Sequence, residues 1–73
     1  MEDIMIGMRD KLLKALRLKH EALMETALVN IEVYENAVGI GEHPEIIEAV
    51  ESQVKQYVES AEIVDGIDRI INL

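Results

Sequence analysis

The two histidines are the side chains of this 73-residue chain best suited to exchange protons or bind a metal near neutral pH. His20 opens the sequence H-E-A-L-M, which has the spacing of the H-E-x-x-H helix of zinc proteases but ends in Met24 instead of a second histidine. A catalytic zinc ion needs three protein ligands, so the match fails. We therefore expect His20 to be a hydrogen-bonded packing residue on the edge of an apolar stripe, with a ligand or pH-sensing role as the alternative.

The second histidine belongs to a turn sequence, V-G-I-G-E-H-P, at residues 38–44. Glu42, His43 and Glu45 could meet a cation there, but they offer three ligands at most, with no second histidine or cysteine nearby. A backbone role explains the same stretch. Glycines permit a tight loop, proline suits the first position of a helix, and the residue before proline is directed towards the conformation of a capping residue. We predict a structural turn, with ligand or metal binding at these three polar residues as a weaker alternative. The predicted turn residues are Gly39, Gly41, His43 and Pro44.

No other set of residues predicts catalysis or cofactor binding. The chain has no cysteine, which excludes thiolate nucleophiles, thiolate metal ligands and disulfides. The hydroxyl groups of Thr26, Ser52, Ser60 and the two tyrosines have no base placed beside them by sequence spacing. The turn glycines do not form a phosphate-binding loop, because no strand precedes them and no lysine follows. We expect a non-enzymatic protein with no catalytic residue, metal ion or cofactor.

Composition and charge narrow the class of protein further. A chain this short forms one small domain, and such a domain buries only about 60% of its unfolded surface. Its apolar residues are mainly aliphatic, with two tyrosines as the only aromatic side chains, as in helical bundles and coiled coils. The formal net charge of −8 disfavours nucleic acid and anionic membranes as partners. Because the chain has no long apolar run and begins with acidic residues, we expect a soluble cytoplasmic protein.

Residues 4–38 predict one long helix with two apolar stripes, since no proline interrupts them. The main stripe has an eleven-residue repeat. It consists of Leu12, Leu16, His20, Leu23, Ala27, Ile31, Tyr34 and Val38. A narrower second stripe projects elsewhere at 100° per residue. It consists of Ala15, Leu18, Ala22, Val29 and Val33. One stripe suffices for a helix in an isolated hairpin, so the second predicts a second partner; scattered surface apolar residues are the alternative.

Residues 44–71 predict a second helix after a turn at residues 39–43. Its seam alternates steps of three and four residues, as in a coiled coil. The seam positions are Ile47, Val50, Val54, Tyr57, Ala61, Val64, Asp68 and Ile71. Ile63, Ile67 and Ile70 then lie on the opposite face. We expect the helix to continue through Gly66; the alternative is that it ends there and is followed by a separate tail.

Together these elements predict an all-α fold, with residues 1–73 forming a single domain that is an antiparallel two-helix hairpin. The pairing through the turn sets Ile31 beside Val50 and Ala27 beside Val54. It also brings a basic run level with an acidic one, so we expect charge pairing and not contact with nucleic acid. The basic run is Arg9, Lys11, Lys14, Arg17 and Lys19, and the acidic run is Glu59, Glu62, Asp65 and Asp68.

The apolar residues that one hairpin cannot bury predict a homo-oligomer. Burying them between two copies in a four-helix bundle with two-fold symmetry is the simplest solution, so a dimer is favoured. The predicted self-association surface consists of Leu18, Ala22, Val29, Val33, Ile63, Ile67 and Ile70.

Residues 34–50, Y-E-N-A-V-G-I-G-E-H-P-E-I-I-E-A-V, resemble a group of small acidic proteins encoded by tailed phages of marine cyanobacteria and found in marine environmental sequence. In that group the V-G-I-G-E-H-P core joins two helical halves. Ala37 stands where the group has proline, and the chain departs further after Val58. The resemblance implies a phage source, with the host cytoplasm or the virion as location, and implies no activity.

These observations favour a self-associating structural or adaptor component. The alternative is an acidic regulatory module that binds a host protein, because a charge of −8 could mimic nucleic acid.

Overall fold

The structure, a computed structural model, contains two α-helices and no strand in the part of the chain it describes. It describes the backbone of residues 2–37 and 44–73 and the side chains of residues 7–36 and 45–73. Helix α1 spans Glu2–Ala37 and helix α2 spans Pro44–Ile71, so the predicted all-α hairpin is confirmed. As expected, α2 continues through Gly66. Three of the predicted turn residues lie outside the described residues, namely Gly39, Gly41 and His43.

Both helices follow from local sequence. α1 has no proline and is rich in alanine, leucine, glutamate and lysine, which have high helix propensity. α2 begins at Pro44, as predicted, where a missing N–H costs nothing. Glu45 in its first turn and Arg69 in its last turn complement the helix dipole. At 1.5 Å per residue, 36 residues of α1 span about 54 Å, and the molecule is 60 Å long.

The two helices pack side by side along a seam, by which we mean the central line of buried or half-buried residues between them. Other half-buried residues, such as Leu23, Ala61 and Asp68, lie at its edge. In both helices the seam follows alternating steps of three and four residues, the coiled-coil spacing. In α1 it consists of Leu13, Arg17, His20, Met24, Ala27, Ile31 and Tyr34. In α2 it consists of Ile46, Val50, Gln53, Tyr57, Ser60, Val64, Ile67 and Ile71.

Hydrogen bonds across the seam set the direction and register of the pair. His20 pairs with Ser60, and Asn30 pairs with Gln53, each at 3.1 Å. From His20 to Asn30 the chain runs forward along α1, while the partner residue in α2 moves backward from Ser60 to Gln53. The helices are therefore antiparallel. Ile31, Ile47 and Val50 line one groove, which agrees with the predicted neighbourhood of Ile31 and Val50.

The seam of α2 differs from the predicted one at every second position. The shared positions are Val50, Tyr57, Val64 and Ile71. Between them the structure places Ile46, Gln53, Ser60 and Ile67. Of the residues that the pattern favoured there, Ile47 and Val54 are exposed, whereas Ala61 and Asp68 are half-buried at the edge of the seam. Ile67 is 3% exposed and Ile47 is 59% exposed. The expectation that Ile67 lies opposite the seam is therefore wrong, because polar Gln53 and Ser60 occupy seam positions and the pattern passed over them.

The seam of α1 shares His20, Ala27, Ile31 and Tyr34 with the predicted stripe. Met24 takes the place of Leu23, which is also half-buried, and the two patterns differ more nearer the amino end. There Leu13 and Arg17 are half-buried, while Leu12 and Leu16 are exposed. The seven-residue repeat of the pair replaces the predicted eleven-residue repeat. An arginine takes a seam position because its charged end reaches the edge of the pair while its stem lies along apolar surface.

The core of the hairpin is thin. Among the residues described, only Ala27, Ser60 and Ile67 are fully buried. The radius of gyration is 17.0 Å, whereas a compact chain of this length has about 11 Å. The accessible surface is 5783 Å², about 1,200 Å² more than the roughly 4,500 Å² expected of a compact protein of 8.2 kDa. One hairpin thus leaves exposed an area comparable to a protein–protein interface.

Candidate self-association surface

The face of α1 that points away from α2 carries the second apolar stripe. Ala15, Ala22 and Val29 each follow a seam residue by two positions, a rotation of about 200°. With Leu18 and Val33 they form one line, which we call the outer stripe. Leu18 is 67% exposed, and the other four residues are exposed as well. The structure therefore leaves all four α1 members of the predicted surface, Leu18, Ala22, Val29 and Val33, uncovered by α2.

Two grooves run along the outer stripe, each with at least one acidic residue at its side. The first, of about 440 Å³, is lined by Leu18, Glu21, Ala22, Met24 and Glu25. The second, also of about 440 Å³, is lined by Val29, Glu32, Val33 and Asn36. An apolar floor between charged walls is the arrangement of a helix face that receives another helix.

The α2 members of the predicted surface do not stay together. Ile63 and Ile70 are partly exposed at 38% and 43%, whereas Ile67 is buried in the seam. Ile63 and Ile70 lie four and three residues from Ile67, so they are its neighbours on the helix surface. Because Ile67 faces α1, the three cannot form one exposed face on the opposite side. The prediction that Ile67 belongs to the self-association surface is therefore wrong, because its side chain is buried between α1 and α2.

The sequence pattern missed further exposed apolar residues. Most of these had been assigned to the seam or its edge. They are Leu12, Leu16, Leu28, Ile47, Val54 and Val58. A groove of about 320 Å³ lined by Ile31, Glu35, Ile47 and Val50 lies on this second region. Gln53 and Ser60 share the seven-residue spacing of Ile46 and Ile67. Had these polar residues been counted as seam positions, the pattern would have predicted that Ile47 and Val54 are exposed.

A hydrogen-bonded cluster fills the seam at Ser60, whose side chain is fully buried. Gln56 Nε2 donates to Ser60 Oγ at 2.8 Å, and Ser60 Oγ lies 3.1 Å from His20 Nδ1. Because the serine oxygen accepts from Gln56, its own proton is available to donate to the histidine nitrogen. The prediction that His20 is a hydrogen-bonded packing residue is confirmed.

The same geometry brings a hydroxyl and an imidazole together, which sequence spacing did not anticipate. A nucleophile and a base at hydrogen-bonding distance are the parts of a hydrolytic site. Here, however, the hydroxyl is enclosed between two helices and also bound by Gln56. The neighbouring groove of about 440 Å³ is lined by Gln56 and Gln53 among others, and not by Ser60 or His20. Because Ser60 is fully buried, the arrangement fits a structural role.

We predict that Ser60→Ala lowers the free energy of unfolding by about 1 kcal/mol, because His20 and Gln56 lose their shared partner inside the seam. Urea unfolding followed by circular dichroism at fixed protein concentration measures the change. Ser52→Ala is the matched control, because Ser52 is exposed on the same helix and its replacement should cost nothing. Equal stability of the two variants would contradict a structural role for the cluster.

Two further polar contacts flank this cluster along the seam. Asn30 Nδ2 donates to Gln53 Oε1 at 3.1 Å. Arg17 Nη2 donates to Asp68 Oδ2 at 3.3 Å, and its Nε lies 3.2 Å from carboxylate oxygens of both Asp68 and Glu21. Of the basic run, Arg17 alone reaches α2 among the described residues, so the predicted charge pairing is realised at one position. Polar contacts inside an apolar seam specify register more than they add stability.

The described residues bear on metal binding and on membrane insertion. In the part of the chain that the structure describes, no group of three or more acidic or histidine side chains could hold a metal ion. The proposed cation ligands Glu42 and His43 lie outside that part. Neither of the described helices has a segment long and apolar enough to span a membrane. Comparisons with protein-family models, curated proteins and solved structures found no match to this chain.

Proposed function

We propose that this chain is a small structural or adaptor protein whose function is to self-associate, two hairpins forming a four-helix assembly. The observation that carries this proposal is the outer stripe of α1, an apolar line along the face that α2 does not cover. In this role the chain needs no active site, since its function lies in assembly.

The area that the hairpin exposes supports a partner of similar size. The excess of about 1,200 Å² over a compact chain exceeds the roughly 800 Å² that each partner contributes to a stable interface. Fully burying one Leu or Val side chain contributes about 1.5–3 kcal/mol. Burial of Leu18, Val29 and Val33 is therefore on the scale of the stability of a whole small domain.

The thinness of the core supports the same proposal. A chain this small usually needs a disulfide, a metal ion or a partner to be stable. Disulfides are excluded because there is no cysteine. A second copy of the chain is the remaining source of buried area that the protein itself supplies, and a symmetric dimer is the commonest assembly.

Concentration dependence of thermal stability tests the proposal. Because only the folded dimer contains the interface, dilution shifts the equilibrium towards unfolded chains. We expect the midpoint of thermal unfolding to fall by several degrees, on the order of 5 °C, when the protein is diluted about 100-fold. A midpoint that does not depend on concentration, with full helical signal throughout, would contradict self-association.

A further inference from the structure

We infer that the two copies pack α1 against α1 in antiparallel orientation, with the two-fold axis passing beside Ala22. This geometry rests on the self-association proposed above and specifies its interface. It makes α1 the inner helix of the assembly and leaves the opposite face of α2 in solvent.

The charges of α1 are separated along its length. Between residues 9 and 19 there are five basic side chains and one acidic one. Between residues 21 and 36 there are four acidic side chains and no basic one. The last turn of α1 has no basic residue, which is the reverse of what the helix dipole favours. Glu35 in that turn is therefore unfavourable for the helix alone, and a partner that sets basic side chains beside the acidic half of α1 would compensate it.

α2 supplies little of that compensation. Arg17 pairs with Asp68 of α2 and with its own neighbour Glu21, and Arg9 pairs with the adjacent Asp10. Among the described residues, the remaining basic and acidic side chains of α1 form no ion pair. They are Lys11, Lys14, Lys19, Glu25, Glu32 and Glu35. These charges remain available to a second copy.

Antiparallel pairing about Ala22 matches these charges. Lys11 and Lys14 lie eleven and eight residues before Ala22, and Glu32 lies ten residues after it. At 100° per residue all three project to the same side of the outer stripe, so the two lysines come beside Glu32 of the second copy. A parallel two-fold pair would instead set every lysine beside its own copy and every glutamate beside its own copy, which repels. Charge complementarity therefore selects the antiparallel orientation.

The outer stripe has the shape that this geometry requires. Ala22 would meet its own copy at the axis, and a small side chain there lets two helices approach closely. Ala15 and Val29 are both seven residues from Ala22, so a small residue of one copy faces a larger one of the other. The two copies of Leu18, one from each chain, fill the spaces on the two sides of the axis. Alternating small and large residues across facing positions is how packed helices interdigitate.

The outer face of α2 is consistent with exposure in the assembly. Its residues at seven-residue spacing opposite the seam are all charged and exposed. They are Glu48, Lys55, Glu62 and Arg69. Intrahelical ion pairs form on this helix, from Lys55 to Glu51 at 3.9 Å and from Arg69 to Asp65 at 3.0 Å. The face of α2 opposite the seam is therefore charged, as is usual for a helix face in contact with solvent, whereas the corresponding face of α1 is apolar.

Cysteine cross-linking tests the geometry, and the chain offers a clean background because it has no cysteine. Ala22→Cys places a thiol beside the two-fold axis, where two copies come close enough for a disulfide. Mild oxidation should convert most Ala22→Cys chains to disulfide-linked dimers. The matched control, Lys55→Cys on the solvent face of α2, should give roughly tenfold less dimer. Products are read on a non-reducing gel and by mass spectrometry.

Orientation is read from a mixing experiment. Ala15→Cys mixed with Val29→Cys should yield the mixed disulfide in preference to either self-pair. Preferential self-linking of Ala15→Cys would indicate a parallel pair and overturn the inference. If the wild-type chain is dimeric but Ala22→Cys links no better than Lys55→Cys, this geometry is wrong and self-association stands. A monomeric wild-type chain overturns both.

Discussion

Glutamate at position 18 is expected to abolish self-association. Leu18 is the most exposed large residue of the outer stripe, and the two-fold axis would bury two unpaired carboxylates per dimer. Burying a carboxylate without a partner is costly, so the dissociation constant should rise at least about 100-fold, which corresponds to roughly 3 kcal/mol. Sedimentation velocity across a range of concentrations measures the change. Val29→Glu should behave in the same way.

Val58→Glu provides the matched control for this prediction. Val58 is an exposed valine on α2, away from the outer stripe, so the same chemical change there should leave the dimer intact. Retention of the dimer by Leu18→Glu together with its loss in Val58→Glu would show that the second region of exposed apolar residues is the interface.

Ile67→Ala is expected to be the most destabilising single truncation in α2. Ile67 is the largest apolar side chain buried among the described residues. Its replacement leaves a cavity in the seam and should lower the free energy of unfolding by about 2–4 kcal/mol. For a small, thin-cored protein this is a large share of total stability. Urea unfolding followed by circular dichroism gives the difference.

Ile70→Ala is the appropriate comparison, because Ile70 is 43% exposed and lies three residues away on the same helix. Its replacement should cost less than about 1 kcal/mol. The sequence pattern had placed Ile67 and Ile70 on one surface, so the pair also tests the corrected register. Equal losses for the two variants would contradict the seam described above.

The hairpin could be predicted from the sequence because its signals are local. The absence of proline in α1 and the position of Pro44 define where the helices lie. Seven-residue spacing in α2 then predicts side-by-side packing. The outer stripe was also predicted, since Leu18 and Val29 remain apolar on a face that no antiparallel partner in the same hairpin can reach.

The seam register could not be predicted in the same way. An apolar pattern prefers Val54 over Gln53 and Ala61 over Ser60, because it ranks polar residues as exposed. In the structure Gln53 and Ser60 are tolerated in the seam because Asn30 and His20 hydrogen-bond to them from the other helix. Such hydrogen bonds depend on which residues of the two helices the fold brings together. The pattern of apolar residues within one helix therefore cannot predict them. The burial of Ile67 follows from that same register.

Sedimentation equilibrium of the wild-type chain tests the central claim most directly. One chain has a mass of 8.2 kDa. We predict that the measured mass is that of two chains at micromolar concentration and falls towards that of one chain on dilution. A single-chain mass at the highest concentrations, with the helical signal of a folded protein, would contradict the claim that the outer stripe of α1 exists to bind a second copy.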